Sequence, residues 1–243
     1  MKSLGEDQLW SLVFPGYDAK RHVLPAEPRA CNGRDVLADK SLEGGEAKPV
    51  IQEGDTSLGS GGDRLKIAWL RALRFPDGTE GGALALLRSY GGTAEVYAIG
   101  AFRGRPKTTF TLERVGPEAL VVATDEGCNP RKAGAPCETP VTVFLPRFGV
   151  LERSARFAQE RVAYAEGTES GIRGRVEYRL ASATQFVDGG IRVQEQVMVR
   201  DDLGRELRKA ELERSYTFGP DGSLLASEDS LWSRVLGPNP TPK

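Results

Sequence analysis

Residues that carry chemistry are scarce in this chain. Histidine occurs once, as His22, and cysteine three times, as Cys31, Cys128 and Cys137. No pair of histidines can share a metal, and the cysteines lack the CxxC spacing of a zinc site. No metal and no cofactor is therefore expected. A Ser-His-Asp triad would have to recruit His22, and no GxSxG elbow is present, so His22 reads as a solvated side chain in an irregular segment. The tract Gly59-Ser60-Gly61-Gly62 lacks the GK[ST] of a phosphate-binding loop and reads as a linker. No apolar run approaches the ~20 residues that a membrane-spanning helix requires. Charge of one sign is missing as well: 33 basic against 34 acidic residues leave a net charge of −1, so no global field recruits nucleic acid or an anionic membrane.

What is present is a repeating unit from Arg64 to about Ser230, an alternating apolar and polar run closed by a glycine-containing turn. In Ile191–Arg200 one face carries Ile191, Val193, Glu195, Val197 and Val199, and the other Arg192, Gln194, Gln196, Met198 and Arg200. Period-2 alternation gives one buried and one wet face, and sheets wet on one side are usually antiparallel. Pro76-Asp77-Gly78, Tyr90-Gly91-Gly92, Asp188-Gly189-Gly190, Asp201-Asp202-Leu203-Gly204 and Pro220-Asp221-Gly222 supply the turns. The expected fold is mainly β: an antiparallel meander forming a curved sheet or open barrel, with short N- and C-terminal helices.

Strands are expected near 65–75, 83–89, 93–102, 107–114, 118–125, 140–146, 148–165, 172–187, 190–200, 205–218 and 223–227. Leu151, Ala155, Ala158, Val162 and Ala165 recur at helical spacing, but no N-cap residue precedes them and both neighbours are strands, so strand is preferred for 150–165. Residues 1–63 form a separate region, with two helical turns over Asp7–Phe14 stopped by Pro15-Gly16. A Gly- and Pro-rich remainder then buries little and lies over the main body. Residues 64–236 form the β-meander domain, closed by a helix over 227–236 that Ser227 caps. Residues 237–243 form a tail.

Candidate sites are few. Glu195 interrupts an apolar strand face, and a carboxylate turned toward a core needs a partner or a raised pKa. A metal-independent carboxylate hydrolase would be built on such a residue, and an arginine pair is the structural alternative. Arg103, Arg105 and Lys107 in one turn, and Arg173, Arg175 and Arg179 on one strand, are candidate anion contacts. Cys128 and Cys137 bracket a loop of turn formers and are expected to form a disulfide worth ~2–3 kcal/mol, leaving Cys31 unpaired.

Arginine outnumbers lysine 24 to 9, a skew that suggests a GC-rich, bacterial coding sequence. Acids arrive before any apolar stretch at the N-terminus, so the chain is either cytosolic or a mature form whose leader has been removed. The architecture is similar to the curved sheets and half-barrels of bacterial envelope lipoproteins. That likeness implies an extracytoplasmic, non-enzymatic protein that binds an apolar ligand or a partner protein through a concave sheet face or sheet edge. A subunit of a larger envelope assembly is the second expectation.

Overall fold

Strand formation follows the alternation closely. The computed structural model describes residues 4–60, 65–90, 93–127, 136–169, 172–221 and 223–236. Its elements are a helix α1 (Glu6–Val13), strands β1 (Glu46–Ala47), β2 (Thr56–Ser60), β3 (Leu65–Arg74), β4 (Glu80–Tyr90), β5 (Thr93–Gly104), β6 (Thr109–Val115), β7 (Glu118–Thr124), β8 (Cys137–Arg147), β9 (Val150–Glu169), β10 (Ile172–Val187), β11 (Gly190–Arg200), β12 (Glu206–Phe218) and β13 (Leu224–Ala226), and a helix α2 (Leu231–Leu236). The expected mainly β, mostly antiparallel fold with short terminal helices is present, and 150–165 is strand. Cys128 of the expected Cys128–Cys137 bridge, the glycines of the 90–92 turn and the 237–243 tail lie outside the described residues.

The order of the sheet is β13-β12-β11-β10-β9-β5-β4-β3-β2-β6-β7-β8, with β1 on β3 and β9 also paired to β8. It is thus two meanders, β2 to β5 and β6 to β13. Among the described residues their backbones pair at two parallel bridges of one residue pair each, Ser60 with Thr111 and Ile99 with Val150. The ladder is not continuous at these points, and the sheet is not closed. Each bridge sits beside a glycine. A Cβ on Gly59 would stand 2.5 Å from the Phe110 Cβ, and one on Gly100 would stand 2.3 Å from the Leu151 carbonyl oxygen. Any side chain there would push the strands apart.

The chain divides into two compact units, of which the first comprises residues 1–113, 119–125 and 143–153. Within it β3, β4 and β5 are apolar on both faces. Ile67, Trp69, Leu84, Leu86 and Ala98 pack with Phe102, Phe110, Val121, Phe144 and Leu151 on one side. Ala68, Leu70, Ala83, Ala85 and Ile99 pack on the other against Trp10, Val13, Phe14, Tyr17, Val36 and Leu42 of the N-terminal segment. Composition alone assigned little burial to that segment, yet its aromatic residues and most of its large aliphatic ones are buried or partly buried, Val50 and Leu58 being exposed. The N-terminal segment is also held by charge. Lys48 Nζ lies 2.6 Å from Asp55 and 2.7 Å from Glu80, whose other oxygen is 2.9 Å from Arg71 Nε. Arg71 further donates to Ser57 Oγ and the carbonyls of Pro106 and Gly54.

The second unit comprises residues 114–118, 126–142 and 154–243. Val176, Tyr178, Leu180, Val197 and Val199 form its buried face, and Leu231 and Trp232 of α2 close over them. The expected helix start at Ser227 is displaced. Ser227 instead extends the β12–β13 hairpin, its amide donating to the Ser215 carbonyl and its hydroxyl accepting from the Ser215 amide. The helix begins four residues later, behind Ser230.

The β8–β9 turn, Phe148-Gly149, has φ of 48° and 78°, the left-handed pair of a type I′ hairpin that favours Asn-Gly. Phe148 is fully exposed at 103%, so it gains no packing in return for the strain. Phe148→Asn should therefore stabilise the protein by about 1 kcal/mol, read as a higher urea midpoint at unchanged slope.

Candidate functional site

Glu195 is 2% exposed and lies on the dry face of β11, opposite Leu212 of β12. Its carboxylate accepts from Arg214 Nε at 2.8 Å and Nη2 at 2.7 Å, from Ser230 Oγ at 2.9 Å, and from the Leu231 amide at 2.7 Å. The last two donors belong to the start of α2, so the acid fastens the helix to the sheet. Arg214 is itself buried, against the Tyr216 ring. The carboxylate is enclosed by donors and presents no face to a substrate, which places Glu195 in the packing of the second unit. Removing one partner of such a pair strands the other charge and typically costs about 3–5 kcal/mol. Glu195→Ala should lower stability by about that amount in urea denaturation, and Glu195→Leu with Arg214→Leu should recover most of the loss.

Most of the candidate anion contacts are engaged by local partners. Arg103 stacks on the Phe75 ring at 3.7 Å and pairs with Asp77 at 2.7 Å. The Arg105 amide donates to Asp125, which also receives the Thr108 hydroxyl, and Lys107 lies in the same turn. Arg175 covers the Tyr164 ring and Arg179 pairs with Glu160 at 2.9 Å. The Arg173 side chain falls outside the described residues. An anion arriving at the 103–108 turn thus meets the carboxylates of Asp77 and Asp125 already in place.

Asp77 is held below the usual carboxylate range by the Thr79 hydroxyl first, then the Thr79 amide and Arg103. A lowered folded pKa means stabilisation that is present above the unfolded value of ~3.9 and lost as pH falls through the lower folded value. Thr79→Val should shift the Asp77 titration upward by NMR and move the acid limb of unfolding to higher pH.

A different constellation appears in the first unit, at the mouth of a cavity of about 530 Å³. The first turn of α1 supplies Glu6 and Asp7, the following loop Tyr17 and His22, and the loop before β2 Ile51, Gln52 and Glu53. Asp18 organises the loop: its carboxylate accepts the amides of Lys20 and Arg21, and its backbone pairs with Val23. His22 completes the turn with a left-handed φ of 56°, and its carbonyl accepts the Ile51 amide at 2.7 Å. Tyr17 Oη, His22 Nδ1 and Asp7 Oδ1 then form a triangle of 2.9, 3.1 and 3.2 Å. Tyr17 is raised above the ordinary phenol range, chiefly by burial and then by the Asp7 carboxylate, so the phenol keeps its proton and donates it to Asp7.

With the phenol committed to Asp7, a carboxylate oxygen at 3.2 Å from Nδ1 is matched by a hydrogen on Nδ1. In the neutral ring Nε2 is then the acceptor, and it has no hydrogen-bond partner among the described residues. Alternation and motif spacing do not point to this arrangement. Asp7 reads as an ordinary helix residue and His22 as solvated, because a left-handed turn and long-range packing create their meeting.

A second, open depression of about 660 Å³ lies on the wet face of β10 to β12. Its amides are taken up by neighbouring carboxylates, Gln194 donating to Glu213 and Gln196 to Glu211. No family model, curated protein or solved structure matches this chain.

Proposed function

We propose that this chain is a non-enzymatic binding protein that takes a small hydrogen-bond-donating or cationic ligand in the N-terminal cavity. The observation that carries the reading is the locked imidazole. Asp7 and Tyr17 hold His22 through Nδ1, which leaves Nε2 of the neutral ring as an acceptor; the other ionisable lining groups are the carboxylates of Glu6 and Glu53, with neither lysine nor arginine among the lining residues. Such a lining favours ammonium and hydroxyl donors over anions. The Trp10 and Tyr17 rings, 5.7 Å apart, back the cavity with apolar surface. An apolar ligand, the expectation drawn from the sheet, has less support, because both cavities described are lined by carboxylates and amides.

Binding is favoured over catalysis because acid, phenol and imidazole satisfy one another and leave one acceptor facing outward. A carboxylate hydrolase built on Glu195 lacks that support, since its oxygens are occupied by Arg214, Ser230 and Leu231. A linear diamine is a suitable probe. Titrating it into the protein at low ionic strength should shift the amide resonances of Glu6, Gln52 and Glu53 and the His22 ring protons. Asp7→Asn and Glu53→Gln should each weaken the apparent affinity about tenfold, one lost charge-assisted contact. Unchanged spectra at millimolar diamine, or shifts that both variants leave intact, would refute the site.

A further inference from the structure

Strand β10 changes character halfway along. Ile172–Val176 pairs with β9 alone, and from Glu177 to Ala181 the strand is paired on both sides, to β11 and to β9. Pairing with β9 ends at Ala181 opposite Glu160, while pairing with β11 continues to Val187. Among the described residues, Ser182–Val187 therefore has one edge without a partner strand. Burial falls where β9 leaves. On the dry face Val176, Tyr178 and Leu180 are buried, at 1–9% exposure, whereas Ser182, Thr184 and Phe186 on that face are only half-buried. Their cross-strand neighbours Glu195, Val193 and Ile191 are buried. The core face thus runs out to an uncovered edge, where Ser182 Oγ lies buried with no hydrogen-bond partner among the described residues.

Sheet edges in soluble proteins are ordinarily blunted by lysine, proline, a bulge or an inward charge. Ser182-Ala183-Thr184-Gln185-Phe186-Val187 has none of these. It is uncharged and rich in β-formers, the composition of a strand that accepts another. We infer that this edge pairs with the same edge of a second copy of the chain, antiparallel about a two-fold axis at Thr184. In that register Thr184 meets Thr184, Ala183 meets Gln185 and Ser182 meets Phe186, so threonines pair on the axis and small residues face large ones. No like charges are opposed within the segment, which is what an isologous contact needs. A ladder of five residues buries less than the ~1,200 Å² of a stable interface, so the dimer is weak and concentration-dependent. This inference is independent of the N-terminal cavity.

Analytical ultracentrifugation of the full chain from ~1 to ~500 μM tests it, in the concentration range of weak association. The weight-average mass should rise toward that of a dimer. Thr184→Lys and Gln185→Lys should each hold the chain at monomer by placing like charges across the axis, while Thr184→Val should leave association unchanged. The exposed Gln185 keeps the test readable if Thr184→Lys fails to fold. A wild-type chain that stays monomeric throughout, or lysine variants that associate as well as wild type, would overturn the inference. So would a monomer whose 182–187 amides shift only on adding an unrelated extended peptide, an outcome that assigns the edge to a foreign strand.

Discussion

A buried charge survives only if the groups around it are fixed and of opposite sign, and this protein is organised around meeting that condition twice. In the first unit Lys48, Asp55, Glu80 and Arg71 bring two positive and two negative groups together. They tie the loop before β2 and the start of β4 to the centre of β3. In the second unit Glu195 and Arg214 do the same for α2. Neither set is the cheapest way to fill a core, since apolar residues of similar volume often stabilise as well. What the charges add is register, because each must find its own partner, and a slip of one residue would leave it unpaired in the interior.

The strands were legible because each has a face that is wet or a run that is wholly dry, and both leave a period-2 or continuous apolar trace. Ile191–Arg200 is the clearest case, and the one residue that breaks its dry face, Glu195, marks the charge pair. What the trace does not carry is which strand lies beside which. The contacts of β2 with β6 and of β5 with β9 rest on one residue pair each and on glycines that let backbones approach. Nothing local announces them. The C-terminal helix was placed four residues early because Ser227 is a good cap by type but lies in a hairpin, and the cap is decided by where Glu195 sits.

The candidate site was less legible than the fold, for a physical reason. Asp7, Tyr17 and His22 are unremarkable one by one, and their chemistry arises from mutual contact. A lone histidine in a polar segment gives no sign of that. The arginines failed in the opposite sense: they stand out in the sequence, yet Asp77, Glu160 and aromatic rings occupy them locally. Charge counted along a chain overstates free charge wherever strands bring acids alongside.

The two one-pair bridges beside Gly59 and Gly100 have a bearing on how the molecule comes apart. Long antiparallel ladders open only by breaking many hydrogen bonds together, so each meander behaves as a cooperative block. A seam made of one residue pair has no such cooperativity. What holds the two meanders across these score lines is therefore the apolar layer they share, in which Trp69 and Phe102 pack edge-on against Phe110, and Phe102 against Phe144. Their union rests on side chains, whereas each block is held together by its backbone.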